Sequence, residues 1–409
     1  MTFRIPFFVW LARTSSPAGS ASVSPLLGPT FMYPKRHPSV GAILSSKTAR
    51  SVLISLLAFI TLFGFACRFS GLWNVHASWG RKLASPEVDL NDPTIKWSQF
   101  AYVQYVTNEE YLCNSVMLFE ALHRLRSRPD RVMFYPSPML EDPHGPMPSI
   151  PNHNATLLIK ARDEYNVTLI PIDLLSRNTT DGNLPPTSPL FHITNPLPPP
   201  LETWSSSFTK LLTFNLTTHA RVLSLDSDAL LLHPPDELFL LPPSPVAMPL
   251  AYWLLPQTRK FSSYILLIQP SPVEFARVMD AVRSAAPGEY DMEVLNDLYG
   301  GTAMVLPHRP YGLLTKEFRG RRGEHGYYLG SAEEEWDAVG VLEEAKYVHF
   351  SDWPMTKPWV PVSAGLKAMM QPGCWEGEGE SWERRCVERD VWNWLYGEFR
   401  EGREVSCLT

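Results

Sequence analysis

The spacing of apolar residues changes repeatedly along the chain, and the changes predict alternating strands and helices. Residues 100–107, 131–135 and 167–174 are short runs rich in aromatic or β-branched residues, as is typical of strands. Between them, residues 108–125 and 155–165 repeat apolar side chains at helical spacing. Because strands alternate with helices, we expect an α/β fold built on a parallel, doubly wound sheet.

The same alternation continues towards the end of the chain. Residues 179–200 interrupt it with proline and polar residues, which predicts a surface excursion. Residues 319–326 are basic and glycine-rich and are predicted to be a solvated loop, with contact to a phosphate or an acceptor as the alternative. The remaining predicted strands are 246–252, 264–269, 302–306 and 347–350, and the remaining predicted helices are 201–213, 272–286, 291–298 and 382–400, with a helical turn at 234–240.

One predicted strand ends in two carboxylates. Val222, Leu223 and Leu225 form an apolar run that predicts a buried strand, and Asp226 and Asp228 follow it directly. The carboxyl end of a strand is where open α/β sheets bind ligands, and carboxylates beside apolar sequence are costly to bury without a cation. A hard divalent cation, Mn²⁺ or Mg²⁺, shared with the phosphates of a substrate would account for both aspartates. The alternative is a polar turn shaped by the two side chains.

A histidine and a lysine follow a late predicted strand within one short segment. His349 lies in the strand-like run, and Lys357 follows in a K-P-W turn. Histidine is a common ligand of Mn²⁺ beside carboxylates, and lysine can neutralise a departing diphosphate. Taken singly, each residue has a simpler interpretation, as a structural histidine and as a surface lysine.

The amino-terminal region combines a basic segment with an apolar one. Residues 51–69 are almost continuously apolar, and their uncharged part, residues 51–67, is close to the shortest length that spans a bilayer. Residues 1–50 contain basic residues and no acid. We therefore predict a cytoplasmic tail at 1–50, a single-pass signal anchor at 51–69, a stem at 70–99 and a lumenal catalytic domain at 100–409. An organelle transit peptide and a buried helix are the alternatives.

Charge and composition limit the partners of the rest of the chain. The net charge of −6 divides into +6 for residues 1–50 and −12 for the remainder, and an acidic body argues against nucleic acid as a partner. A disulfide such as Cys374–Cys386 would suit an oxidising lumen, although the sequence leaves the pairing open. Four N-glycosylation sequons also favour a secretory lumen, and they lie at Asn154, Asn166, Asn178 and Asn215.

Two segments, in this order and separation, resemble glycosyltransferase family 8, the glycogenin-like group. They are S-F-T-K-L-L-T-F-N-L-T-T-H-A-R-V-L-S-L-D-S-D at 207–228 and H-F-S-D-W-P-M-T-K-P-W at 349–359. More closely, D-M-E-V-L-N-D-L-Y at 291–299 and V-L-P-H-R-P-Y-G-L-L-T-K-E-F-R at 305–319 are similar to its fungal glucose N-acetyltransferase, or N-acetylglucosaminyltransferase, branch. The similarity covers residues 100–407.

The resemblance implies a GT-A (Rossmann-like) fold, a UDP-sugar donor and a retaining transfer that depends on Mn²⁺. It implies that Asp226, Asp228 and His349 bind the metal, and that Asp226, Asp228 and Lys357 take part in catalysis. The residues that it places around the donor are Lys210 and Lys357 near the phosphates and Tyr105, Val106, Thr107 and Tyr111 near the uridine.

The expected function is transfer of GlcNAc from UDP-GlcNAc to a mannose-containing glycan in the Golgi. Another UDP-hexose as donor, or a non-catalytic, membrane-anchored glycan-binding protein, are the alternatives. Two features depart from the family pattern: the K-P-W turn lacks the usual preceding glycine, and Ser262-Ser263-Tyr264 stands where relatives often have N-S-G. The polar positions 291, 293, 296 and 297 are predicted either to contribute to the site or to form an exposed helical face.

Overall fold

The computed structural model describes residues 89–140, 142–146, 152–175, 206–286, 288–321, 323–376 and 384–407. All of them belong to a unit that comprises Val88–Thr409. The predicted cytoplasmic tail, the predicted anchor and the sequon at Asn178 lie outside the described residues. Within the described ranges, no helix combines the length and the apolar character that crossing a bilayer requires.

The described elements alternate between strands and helices along most of the chain. The strands are β1 (Phe100–Tyr105), β2 (Asp130–Pro136), β3 (Val167–Ile172), β4 (Arg221–Leu225), β5 (Ala229–Leu231), β6 (Val246–Pro249), β7 (Ile265–Ile268), β8 (Met304–Leu306), β9 (Leu313–Leu314), β10 (Tyr347–His349), β11 (Trp375–Glu376) and β12 (Arg384–Arg385). The α-helices are α1 (Glu109–Arg124), α2 (His153–Tyr165), α3 (Pro272–Ser284), α4 (Asp291–Tyr299), α5 (His308–Tyr311), α6 (Gly326–Leu329), α7 (Ala338–Glu344), α8 (Ala364–Met370) and α9 (Val387–Cys407).

Seven strands form the main sheet, in the order β3-β2-β1-β4-β7-β6-β8. The first four are parallel, but β7 pairs antiparallel with both β4 and β6. The predicted α/β architecture and the parallel arrangement of the first three strands are therefore confirmed, whereas the sheet as a whole is mixed. The reason is that β4 and β7 are joined by short strands and turns instead of a helical crossover, so β7 returns in the opposite direction.

Helices cover both faces of the main sheet. Successive strand residues point to opposite faces, so Tyr102 packs with the apolar side chains of α1, α2 and α9, whereas Ala101 and Val103 pack on the other side. That second face is covered by α3, α4 and the 3-10 helix Ser207–Asn215. The described part of the segment predicted as a helix at 201–213 is thus 3-10 instead of α-helical.

A small second sheet positions the carboxyl-terminal motif. Its order is β5-β10-β9, with β10 antiparallel to β5 and parallel to β9. Strands β5 and β9 have three and two residues and were not predicted, because both are defined by pairing with β10, which lies far from them in the sequence. The register pairs His349 with Ala229 on one side and with Leu314 on the other.

The described residues contain two disulfide bonds. The Cys374–Cys386 bond that the sequence suggested is present and lies beside the β11–β12 pair. Cys113 of α1 bonds to Cys407 at the end of α9, across a sequence separation of 294 residues. The second bond attaches α9, which we call the closing helix, to α1.

Candidate active site

The turn between β4 and β5 holds Asp226 and Asp228 in a fixed backbone conformation. The Asp226 amide donates to the carbonyl oxygen of Tyr264 at 2.9 Å, and the Tyr347 hydroxyl donates to the carbonyl oxygen of Asp226 at 2.7 Å. The Phe350 amide donates to the carbonyl oxygen of Asp228 at 3.0 Å. Two separate segments, one at Tyr264 and one at residues 347–350, therefore hold this turn at the carboxyl end of β4.

His349 joins the two aspartates because its strand is aligned with the residue that follows Asp228. Its Nε2 atom lies 3.2 Å from Asp228 Oδ1 and 4.0 Å from Asp226 Oδ2. One ligand atom from each of the three residues lies within 4.8 Å of the others. The histidine ring stacks on Tyr264 with 5.5 Å between the ring centroids. Two carboxylate oxygens and one imidazole nitrogen form a ligand set that fits Mn²⁺.

Lys210 is buried beneath the site, between the carboxylates of Asp226 and Asp291. Its side chain is 3% exposed, and Nζ lies 2.8 Å from Asp226 Oδ1 and 2.9 Å from Asp291 Oδ2. Nζ also donates to the carbonyl oxygen of Ser263 at 2.9 Å. Burial alone would lower the pKa of the Lys210 amine, but the two carboxylates raise it above its usual value. Lys210 therefore remains a buried cation that compensates both acids.

Lys357 compensates the second aspartate from the outer side. Its Nζ atom forms an ion pair with Asp228 Oδ2 and donates to the carbonyl oxygen of Phe350 at 3.3 Å. Burial alone would raise the pKa of the Asp228 carboxyl, but His349 and Lys357 hold it well below its usual range. For Asp226 the effect of burial prevails over that of Lys210, and its pKa is raised.

These side chains line a cavity of about 450 Å³. A larger cavity of about 620 Å³ shares only Lys357 with it and is lined by neither aspartate. The predicted site residues that line the smaller cavity are Tyr105, Thr107, Tyr111, Lys210, Asp226, Asp228, His349 and Lys357. Val106 does not line it, because its side chain is fully buried in the core and its amide donates to the carbonyl oxygen of Phe134.

Two tyrosines line the cavity beside the carboxylates and the K-P-W turn. The Tyr105 hydroxyl donates to Asp226 Oδ1 at 3.1 Å, and its ring centroid lies 5.6 Å from Lys210 Nζ. The Tyr111 ring meets Trp359 of the K-P-W turn edge to face, at 5.2 Å. The start of α1 and the K-P-W turn therefore face each other at one end of the cavity.

The polar positions of α4 divide into two groups. Asp291 and Glu293 line the cavity, although the Glu293 carboxylate also accepts from the Tyr290 amide at the start of the helix. Asn296 binds the backbone of Phe261, and Asp297 is exposed. The helix therefore contributes to the site only through its first turn.

The basic loop at 319–326 does not line the cavity in its described part. Arg319 pairs with Asp352 at 3.3 Å, and His325 is buried with its Nδ1 atom 3.0 Å from Glu317. Sequence reasoning did not assign several residues that do line it, among them Trp253, Tyr264, Leu314 and Lys316. For Tyr264, the sequence signal was that residues 262–264 depart from the family pattern. For Leu314 and Lys316, it was that they lie in the segment 305–319, which resembles the fungal branch of the family.

Comparison with known proteins agrees with the earlier resemblance. The sequence is 41% identical over 343 residues to "Glucose N-acetyltransferase 1" of Aspergillus fumigatus, covering 80% of this chain and 83% of that protein. The chain belongs to the glucose N-acetyltransferase 1 family. The family protein of the same name from Gibberella zeae is 49% identical over 317 residues, which cover 76% of this chain and 63% of that protein. The chain thus spans less than two thirds of the Gibberella protein's length.

More distant comparisons give weaker likenesses. A glucose N-acetyltransferase 1 from Saccharomyces cerevisiae is 26% identical, over 78% of this chain and 83% of that protein. No protein-family model matches the chain. Among solved structures, the galactosyltransferase LgtC with donor and acceptor sugar analogs has a TM-score of 0.43 at 12% identity, covering 75% of this chain and 95% of that one. The bifunctional glycosyltransferase WbbM has a TM-score of 0.40 at 14% identity, covering 66% and 48%.

Proposed function

We propose that this chain is a retaining N-acetylglucosaminyltransferase of GT-A fold that passes GlcNAc from UDP-GlcNAc to a mannose-containing glycan. The observation that carries the proposal is the cavity in which Asp226, Asp228 and His349 present three metal-ligand atoms within 4.8 Å of one another. Membership of the glucose N-acetyltransferase 1 family supports it.

Asp226, Asp228 and His349 hold Mn²⁺, or Mg²⁺, in this proposal. The bound cation supplies Lewis-acid stabilisation of the charge that develops on the diphosphate. The chain contributes to this by burying two carboxylates beside an imidazole and by placing two lysines next to them. The three ligand atoms therefore already lie close enough together to bind one cation.

The two lysines have different roles in this proposal. Lys357 pairs with Asp228, so its ammonium lies beside the proposed metal site, where it would neutralise the diphosphate of a bound donor. Lys210 stays between Asp226 and Asp291 and holds both in place beneath the donor. Together they place positive charge where the leaving group acquires negative charge.

The end of the cavity formed by β1 and α1 takes the uridine. Tyr105, Thr107 and Tyr111 line this end. Tyr111 offers an aromatic face that Trp359 braces from the side. Val106 contributes only by fixing the backbone between Tyr105 and Thr107, because its side chain is buried.

The chain is a type II protein of the Golgi membrane in this proposal. Residues 1–50 are cytoplasmic, 51–69 form the anchor, 70–99 the stem and 100–409 the catalytic domain. Charge asymmetry across the apolar segment supports this orientation. Two disulfides suit an oxidising lumen, and the sequon asparagines Asn166 and Asn215 are exposed.

Calorimetric titration with UDP tests the donor site. Full-length protein in detergent is titrated with and without Mn²⁺, as wild type and as Asp226→Asn, with Asp297→Asn as a matched control on an exposed aspartate outside the cavity. We expect UDP to bind only with Mn²⁺ and the binding to be lost in Asp226→Asn alone. Folded wild-type protein that binds neither UDP nor Mn²⁺ would contradict the transferase and favour the non-catalytic alternative.

A further inference from the structure

One wall of the cavity contains none of the residues assigned to the metal, the phosphates or the uridine. It consists of Trp253, Tyr264, Leu314 and Lys316, which we call the aromatic wall. Trp253 comes from the 3-10 helix Tyr252–Leu254, and Lys316 from the 3-10 helix Thr315–Arg319. The four side chains come from three separate segments of the chain, since Leu314 and Lys316 lie two residues apart, and the tertiary structure brings these segments together.

The aromatic wall begins at the proposed metal ligands. Leu314 is aligned with His349 in the neighbouring strand, and the Tyr264 ring stacks on His349 at 5.5 Å. Trp253 continues from Tyr264 at 6.1 Å between ring centroids, and Lys316 Nζ lies 5.8 Å from the Trp253 ring. A sugar joined to a diphosphate at His349 would therefore lie against this wall.

Lys316 ends the wall with a cation that lacks a close acidic partner. Among the described residues, none forms a hydrogen bond or an ion pair with its Nζ atom. Glu317 and Asp352 are the carboxylates whose charges act on Lys316. Both already have other partners, because Glu317 pairs with His325 and Asp352 pairs with Arg319. A partly buried ammonium of this kind gains when a ligand offers it an acceptor oxygen.

The combination of an apolar surface and an unpartnered donor suits an acetamido group. The methyl group needs apolar contact, which Trp253 and Leu314 offer, and the carbonyl oxygen needs a donor, which Lys316 offers. Glucose has a hydroxyl at the same carbon, so it offers neither the methyl group for the apolar contact nor the carbonyl oxygen for Lys316. We infer that the aromatic wall is the subsite for the N-acetyl group of the donor sugar, and that Trp253 and Lys316 determine the choice of UDP-GlcNAc over UDP-glucose.

This inference rests on the proposed function and deepens it. It assigns the aromatic wall to the donor sugar. The alternatives are the diphosphate, to which the proposal already assigns Lys357, and the acceptor. Each assignment predicts a different result when UDP, UDP-glucose, UDP-GlcNAc and the acceptor are compared in the same variants.

Equilibrium binding to full-length protein in detergent with Mn²⁺ provides the test. Dissociation constants for UDP, UDP-glucose and UDP-GlcNAc are measured for wild type, Lys316→Met and Trp253→Ala. Lys316→Arg and Trp253→Phe keep the donor and the ring respectively, and Lys96→Met controls for removal of an exposed lysine outside the cavity. Lys316→Met retains the length of the side chain, so it tests the charge even where Trp253→Ala reduces stability.

We expect wild type to bind UDP-GlcNAc more tightly than UDP-glucose. In Lys316→Met and Trp253→Ala this preference should fall by about tenfold to a hundredfold, with the affinity for UDP unchanged. The conservative variants and Lys96→Met should retain it.

Three results would overturn the inference. An unchanged preference in both variants would remove the wall from donor recognition, and an equal loss of UDP affinity would assign Lys316 to the diphosphate. Unchanged donor binding with lost transfer to a mannose-containing acceptor would assign the wall to the acceptor. In each of these cases UDP still binds to wild type with Mn²⁺, so the donor site survives; only wild type that binds no UDP contradicts the proposed function itself.

Discussion

The two lysines nearest the carboxylates differ in their exposure to water. The side chain of Lys210 is 3% exposed and lies between two acids, whereas that of Lys357 is 27% exposed and pairs with one. A buried cation shared by two carboxylates is held by the fold, since its loss would leave two unpaired buried charges. The more exposed lysine is free to exchange its partner for a ligand.

Replacing Lys357 with methionine separates metal binding from nucleotide binding. Without its ion pair, Asp228 keeps its full charge for a cation, so the affinity for Mn²⁺ alone should be retained or increased. The affinity for UDP in the presence of Mn²⁺ should fall about tenfold or more, because a charged hydrogen bond to phosphate is lost. Calorimetry with Mn²⁺ and then with UDP measures both affinities.

Lys357→Arg is the matched control, and it should recover part of the UDP affinity because its charge remains. If Lys357→Met lowered the affinity for Mn²⁺ and UDP together, Lys357 would serve to shape the metal site instead of to bind the diphosphate.

At the scale of elements, a buried acid attaches the segment between His349 and Lys357 to α9. Asp352 is 4% exposed and accepts from Trp392 Nε1 and the Tyr396 hydroxyl of α9, each at 3.0 Å. It also pairs with Arg319. The closing helix therefore determines where the K-P-W turn lies, although it contributes no side chain to the smaller cavity.

Asp352→Asn should loosen this attachment without changing the size of the side chain. We expect the free energy of unfolding to fall by about 1–3 kcal/mol, since hydrogen bonds to a buried charge are weakened. UDP affinity in the presence of Mn²⁺ should fall as well, because Lys357 is no longer held in position. Denaturant unfolding and calorimetry give the two values.

Tyr396→Phe removes one of the same hydrogen bonds and leaves the carboxylate, so its effect on stability should be smaller, at about 1 kcal/mol. A loss of stability in Asp352→Asn with unchanged UDP affinity would limit Asp352 to a structural role.

At the scale of the whole molecule, the described α/β unit is closed by a disulfide between its first helix and its last. Cys113 and Cys407 are separated by 294 residues, whereas Cys374 and Cys386 are separated by 12. A crosslink that closes a longer loop removes more conformational entropy from the unfolded chain. The two bonds should therefore contribute unequally to stability.

Cys113→Ser combined with Cys407→Ser should lower the free energy of unfolding by about 5 kcal/mol. Cys374→Ser combined with Cys386→Ser should lower it by about 3 kcal/mol, and this second pair serves as the control for loss of a disulfide as such. Denaturant unfolding under non-reducing conditions measures both. A larger loss in the short-loop variant would contradict the loop-entropy explanation.

The elements most accurately predicted from sequence are those with a long, regular pattern. The predicted helix 108–125 is observed as Glu109–Arg124, and the predicted strand 131–135 as Asp130–Pro136. The short strands β5 and β9 were missed, since both are defined by pairing with β10, a strand distant from them in the sequence. The direction of β7 was also missed, because the pairing of strands depends on the connection between them.

The sequence by itself determined the chemistry that lies in contiguous motifs. Asp226 and Asp228 follow one strand, and His349 and Lys357 share one segment, so residue types and spacing made them candidates. The resemblance to glycosyltransferase family 8 then gave them their expected roles. Only the tertiary structure decided that Val106 is buried, that Cys113 meets Cys407, and that Trp253 and Lys316 form one wall. The physical reason is that local patterns record the period of a helix or strand, whereas contacts between distant segments follow from strand register and packing.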